Sequence, residues 1–123
     1  MAIKTLIPSL LVDSIDETVN YYTEILGFKL ERKNPYWAHL SMEAAQLYLT
    51  LKDSVLGFLP EMKNIALGGT FTLYISVDEI DDYYNRVKDL VCVSMPIHTT
   101  DYGIKEFQVR DINGYILDFG QTT

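Results

Sequence analysis

Cysteine occurs once in the 123 residues, at Cys92, so the chain can form no internal disulfide. A reducing compartment suits such a chain, and the cytoplasm is the expected location. Histidine occurs twice, at His39 and His98, and neither H-x-x-x-H nor H-E spacing exists to carry a familiar metal motif. Long apolar runs are missing as well. None approaches the ~20 residues that a membrane span requires, and the start M-A-I-K-T-L-I-P-S lacks a signal-peptide core. Positive charge is scarce: 10 Lys and Arg face 17 Asp and Glu, a net charge of −7, which disfavours nucleic acid because its phosphates repel an acidic chain. Gly68-Gly69 lack the spacing and the lysine of a phosphate loop, and no serine sits in a nucleophile elbow. Cys92 opens a run with Val91 and Val93 beside it, which predicts a small buried hydrophobe and not a nucleophile.

What is present is a composition 48% hydrophobic and 22% charged, ordinary for one globular domain. Much of the acid is concentrated in two near-copies of one hexapeptide, V-D-S-I-D-E at residues 12–17 and V-D-E-I-D-D at 77–82. Acids in such places cap helices and complement their dipoles, a structural use of the charge.

The period of the pattern changes at each copy. Ile7, Ser9 and Leu11 alternate with Pro8, Leu10 and Val12, as in a strand between two environments. Beyond Val12 the apolar positions Ile15, Val19, Tyr22 and Leu26 follow a helical face. Ser14 and Glu17 form an S-x-x-E capping box, and Gly27 supplies the stop. In the second copy Thr70, Thr72, Tyr74 and Ser76 alternate with Phe71, Leu73, Ile75 and Val77. Asp78 is placed to cap, and Ile80, Tyr84, Val87 and Val91 mark the helix face.

Strand-like segments follow each helix: residues 28–32, 36–42 and 46–52 in the first half, 92–95, 105–110 and 115–119 in the second. Asn113-Gly114 between the last two is a strong hairpin sign. The expected organisation is therefore an α+β domain over residues 1–123, made of two βαβββ modules at 1–53 and 70–123 joined by a connector at 54–69. The hexapeptide recurs because it is the strand-to-helix elbow of each module.

The stretch P-S-L-L-V-D-S-I-D-E-T-V-N-Y-Y-T-E-I-L-G-F at residues 8–28 and the stretch Y-G-I-K-E-F-Q-V-R-D-I-N-G-Y-I-L-D-F at 102–119 together resemble the vicinal-oxygen-chelate superfamily. That superfamily includes glyoxalase I, extradiol dioxygenases, fosfomycin-resistance enzymes and bleomycin-resistance proteins. Ile112 stands where the family usually writes proline in its closing hairpin. The resemblance implies tandem βαβββ modules whose eight strands form a curved mixed sheet around a cleft, usually in a homodimer.

Metal-dependent members hold their ion with His or Glu on the first and last strands of each module. The positions the resemblance carries over are Ile7, Tyr48, Thr72 and Asp118. Isoleucine has no donor, threonine is a poor one and tyrosine an uncommon one, so a first-row metal would find only Asp118. No metal and no cofactor are expected. His39 alternates with Trp37 and Ser41 and reads as a strand histidine, whereas His98 in P-I-H-T-T-D-Y-G reads as a loop histidine.

The same registers place Gln46, Tyr48 and Thr50, then Thr70, Thr72, Tyr74 and Ser76, then Glu106, Gln108, Ile116 and Asp118 on the cleft side. Leu47, Leu49 and Leu51 with Phe71, Leu73, Ile75 and Val77 fall on the core side. The cleft face mixes hydroxyls, amides and aromatics, and buried polar groups need partners, which a wet pocket for a small organic ligand provides. Trp37, Tyr48, Tyr74 and Tyr102 offer flat faces with a polar handle, suited to a planar ligand, although packing is an equal reading for Trp37 and Tyr48. The candidate ligand residues are Trp37, His39, Tyr48, Thr72, Tyr74, Tyr102, Glu106, Gln108 and Asp118. The expected function is sequestration of an aromatic or drug-like molecule at a homodimer junction, with no nucleic acid or membrane as partner. The alternative is a divergent lyase, isomerase or dioxygenase using Asp118 or Glu106 as proton shuttle.

Overall fold

The structure is a computed structural model that describes residues 1–69 and 71–122. Thr70, expected on the fifth strand, lies outside the described residues. The chain divides into two units, Met1–Ile65 and Ala66–Thr123. The first holds β1 (Ser9–Val12), α1 (Ile15–Asn20) continuing as a π-helical turn (Tyr21–Leu26), β2 (Lys29–Asn34), β3 (Trp37–Met42), β4 (Ala45–Leu51), α2 (Lys52–Val55) and a 3-10 turn (Pro60–Asn64). The second holds β5 (Thr72–Ser76), α3 (Ile80–Val87), β6 (Cys92–Thr99), β7 (Ile104–Arg110) and β8 (Ile116–Thr122). Each unit is a βαβββ module with a mixed sheet, ordered β1-β4-β3-β2 and β5-β8-β7-β6. The first strand of each module runs parallel to its last, β1 to β4 and β5 to β8. The fold is α+β, as the repeated elbow implies.

In the first unit Ser14 caps α1 by accepting the Glu17 amide at 3.2 Å, the bond the S-x-x-E spacing predicts. The helix then widens. Thr23 returns its hydroxyl to the Val19 carbonyl at 2.8 Å, and the amides of Gly27 and Phe28 both donate to the Tyr22 carbonyl. Gly27 ends the helix at φ 95°, a left-handed conformation that glycine adopts without strain. One face of the sheet carries the buried Leu10, Val12, Ala38, Leu40, Leu47 and Leu49, with Ile15, Val19 and Tyr22 of the helical segment buried against them. Burying each such leucine is worth about 2 kcal/mol.

In the second unit Phe107, Val109, Leu117 and Phe119 are fully buried beneath Ile80 and Val87. Phe107 and Phe119 stack at 5.2 Å with 19° between their planes. Asp78 does not cap α3. Glu79 occupies the cap position at φ 51°, with no side-chain cap bond, and the Ile80 amide donates instead to Gln121 Oε1 of β8 at 2.8 Å. A residue distant in sequence thus supplies the cap that local spacing assigned to Asp78. The Asn113-Gly114 turn forms as expected, with the Asp111 carboxylate accepting from the Asn113 and Tyr115 amides at 2.8 and 2.9 Å. A side chain on Gly68 would run into the Gly114 carbonyl, so two chain segments meet there at backbone distance.

Three further expectations are corrected. β6 runs on to Thr99, so His98 is a strand residue and not a loop residue. Cys92 is exposed rather than buried, because β6 lies at the sheet edge and Cys92 sits on its outer side. Phe71 precedes β5 and is 47% exposed, resting on the Tyr115 ring at 5.8 Å rather than under a helix.

Candidate functional site

Strand alternation decides which groups each sheet shows on the side away from its helices. In the first unit that side carries Ser9 of β1, Trp37, His39 and Ser41 of β3, and Gln46, Tyr48 and Thr50 of β4. His39 lies directly opposite Tyr48 in the antiparallel register, and their rings meet at 5.1 Å and 85°, edge to face. Trp37 closes the group at 5.1 Å from Tyr48 and 6.2 Å from His39. All three are half-buried. Polar groups fix the surround: His39 Nε2 lies 2.8 Å from Gln46 Oε1, Ser9 and Thr50 share a hydroxyl bond at 2.8 Å, and Ser41 donates to Glu31 at 2.7 Å. That bond, with Lys29 close by, holds the Glu31 carboxyl below its ordinary range. The Arg32 guanidinium lies 5.7 Å from the Trp37 ring centre, a cation–π distance.

In the second unit the corresponding side carries Tyr74, Glu106, Gln108, Asp118 and Gly120. Tyr74 pairs with Asp118, and Gln108 pairs with Asp118 from the other flank. Gly120 has no side chain because the Tyr74 ring occupies that space; a Cβ there would lie 2.8 Å from two ring carbons. His98 faces Glu106 across the β6–β7 pair, Nε2 to Oε1 at 3.6 Å, while its Nδ1 donates to the Pro96 carbonyl at 2.9 Å. Glu106 is only 9% exposed. Burial pushes the Asp118 carboxyl above its ordinary range, and the charge of Glu106 pushes the same way, against Gln108 and His98. Asp118 Oδ1 is buried and has no hydrogen-bond partner among the described residues.

The structure therefore gathers Trp37, His39 and Tyr48 on one sheet, and Tyr74, Glu106, Gln108 and Asp118 on the other. Thr72 lies on the same side of β5 as Tyr74, exposed and opposite Ile116, whereas Tyr102 stands apart in the turn between β6 and β7 and is 76% exposed. The structure adds Arg32, Gln46 and His98. Gln46 was already on the expected face. His98 was hidden by Pro96, although Val93, Met95 and Ile97 alternate with Ser94, Pro96 and His98 as a half-buried strand requires. Arg32 had no local mark, since its value comes from lying across the sheet beside Trp37. An open depression of about 540 Å³ lies elsewhere in the first unit, by Ser14, Asp16, Lys33 and Pro35. Of its polar groups, Ser14 serves the helix cap, Lys33 and Asp16 pair at 2.7 Å, and Asn34 accepts the Tyr36 amide.

The positions that the resemblance assigns to a metal do not fit one here. Ile7 offers no donor, Thr72 and Tyr48 offer neutral hydroxyls, and the one carboxylate, Asp118, has its Oδ1 buried within the second unit. Among the described residues no three His, Cys, Asp or Glu side chains are grouped to hold an ion.

Residues 4–119 match the family model described as the Glyoxalase/Bleomycin resistance protein/Dioxygenase superfamily, and the chain belongs to that superfamily. Solved structures agree on the fold. A protein of unknown function from Agrobacterium tumefaciens str. C58 superposes with a TM-score of 0.84 at 15% identity, covering 100% of this chain and 97% of that one. An integron cassette protein from the mobile metagenome of V. cholerae gives 0.72 at 25% identity, with 100% and 98% covered. A glyoxalase/bleomycin resistance protein/dioxygenase from Nocardioides gives 0.77 at 16%, with 99% and 85% covered. No curated protein matches the sequence. No described helix is long and apolar enough to cross a membrane.

Proposed function

We propose that the protein is a binder of the bleomycin-resistance-like kind, which sequesters a planar aromatic or drug-like molecule without a metal, as a cytoplasmic homodimer. The observation that carries this reading is the corner of Trp37, His39 and Tyr48. Its rings meet at 58° and 85° where they are nearest, so none of them lies flat against another. The core pair Phe107 and Phe119, at 19°, shows the contrasting arrangement in which two faces are spent on each other. Half-buried aromatic faces with open hydroxyl and imidazole groups bind flat molecules by stacking and a few directed bonds. Sequestration needs nothing more than that.

A thermal-shift screen of aromatic metabolites and bleomycin-type glycopeptides identifies the ligand class. Trp37→Ala and Tyr48→Ala are each expected to weaken any hit by at least about 1 kcal/mol. Unchanged affinity in both variants removes the corner from the site.

One observation supports a second reading, a lyase or isomerase. Asp118 holds its proton above the ordinary carboxylate range beside Glu106, the condition a proton-shuttling acid needs. Product analysis of each ligand hit after incubation with the wild type and Asp118→Asn separates the two: conversion that the variant loses makes the protein an enzyme.

A further inference from the structure

We infer that the Trp37–His39–Tyr48 corner is selective for planar rings that bear a hydrogen-bond donor, a phenol O–H or a heterocyclic N–H, and that His39 Nδ1 is the atom that reads the donor. The inference rests on the ligand-binding reading above and narrows it to a chemical class.

The argument begins at Gln46. Its Oε1 is an amide oxygen, able only to accept, and it lies 2.8 Å from His39 Nε2. Nε2 must then carry the hydrogen, which in a neutral imidazole leaves Nδ1 as a lone-pair acceptor. Gln46 sets this tautomer from the neighbouring strand, because β3 and β4 place Ser41 opposite Gln46 and His39 opposite Tyr48. Among the described residues no protein group donates to Nδ1. The ring is half-buried against Tyr48, so its acceptor is partly withdrawn from water while still unpaired. A ligand that stacks on the corner removes the remaining water. If it brings a donor, the acceptor is satisfied; if it does not, the acceptor is left stripped, which costs more than the missing bond is worth in water. Sites built this way reject the analogue that lacks the polar hydrogen more strongly than they reject a change of one methyl group.

The test uses matched pairs that differ only in the donor: indole with 1-methylindole, and phenol with anisole. Trp37 is the only tryptophan, so its indole N–H gives a single unambiguous cross-peak in a 15N spectrum, and its movement on titration yields the affinity at this site. The wild type is expected to prefer the donor-bearing member of each pair by about tenfold. His39→Phe keeps a flat ring and removes the acceptor, and the preference is expected to fall to near unity while both members still bind. Gln46→Leu tests the positioning role: the imidazole 15N shifts of His39 should lose the Nε2–H signature, and the preference should shrink with it.

Equal binding within each wild-type pair, or a preference that survives in His39→Phe, overturns the inference and leaves the ligand-binding reading standing. Failure of every ring to move the Trp37 cross-peak overturns both.

Discussion

Tyr74 lies across the backbone of Gly120, and replacing that glycine by alanine isolates the interaction. A Cβ on Gly120 would come within 2.8 Å of two ring carbons, closer than real Cβ contacts allow, so the ring must swing away. Tyr74 is free to do so, being 52% exposed. About half of a tyrosine surface, on the order of 100 Å², is thus covered in place. At roughly 25 cal/mol per Å², that cover is worth about 2.5 kcal/mol, and losing contact with Gly120 forfeits about half of it. Alanine offsets this, since it costs about 0.5 to 1 kcal/mol less chain entropy than glycine within a strand. Gly120→Ala should therefore change global stability by less than about 1 kcal/mol in the wild type, yet stabilise a Tyr74→Ser background by about 0.5 to 1 kcal/mol. Urea unfolding of the four proteins gives a coupling of about 1 kcal/mol between the two positions. Additivity within about 0.3 kcal/mol refutes the reasoning, because it means the ring is not held over Gly120.

The acidic and alkaline limbs of stability report two half-buried groups. Asp118 binds its proton more tightly when folded, so its contribution is intact below the ordinary carboxylate value of 3.8 and is lost as pH climbs through the raised value. Asp118→Asn should match the wild type at the acid end and exceed it at pH 7, measured as urea midpoints across that range; a constant difference counts against the shift. Tyr83 is pushed up to about 12 by burial, with Arg86 opposing. The unfolded chain releases this proton near 10, so the wild type loses up to about 2 kcal/mol as pH rises from 10 to 12, and Tyr83→Phe should lose correspondingly less over that interval. Equal alkaline slopes refute the assignment.

The parts of this fold that were legible in the sequence are those dictated locally. Ser14 with Glu17, Gly27, and Asn113-Gly114 act over a few residues, and each forms the cap, stop or turn its chemistry requires. Alternation through Leu47 and Leu49 also reads correctly, because a strand with one buried face tolerates no slip of register. What could not be read depends on partners far along the chain. Gln121 replaces Asp78 at the start of α3, and no spacing rule connects residues so far apart. Pro96 made β6 look finished at Met95, yet an edge strand has a free side on which a missing N–H is harmless. The candidate site divides the same way. Trp37, His39 and Tyr48 share a face by period alone, whereas the contact of Gln46 with His39 joins side chains on adjoining strands that no local pattern pairs.

Cys92 stands exposed at the start of β6, the sole thiol in the chain. Maleimide or nitroxide chemistry therefore attaches one probe per polypeptide with no engineering. Two nitroxides in an assembled pair of chains would yield a single interspin distance, so quaternary structure can be measured on the unmodified sequence.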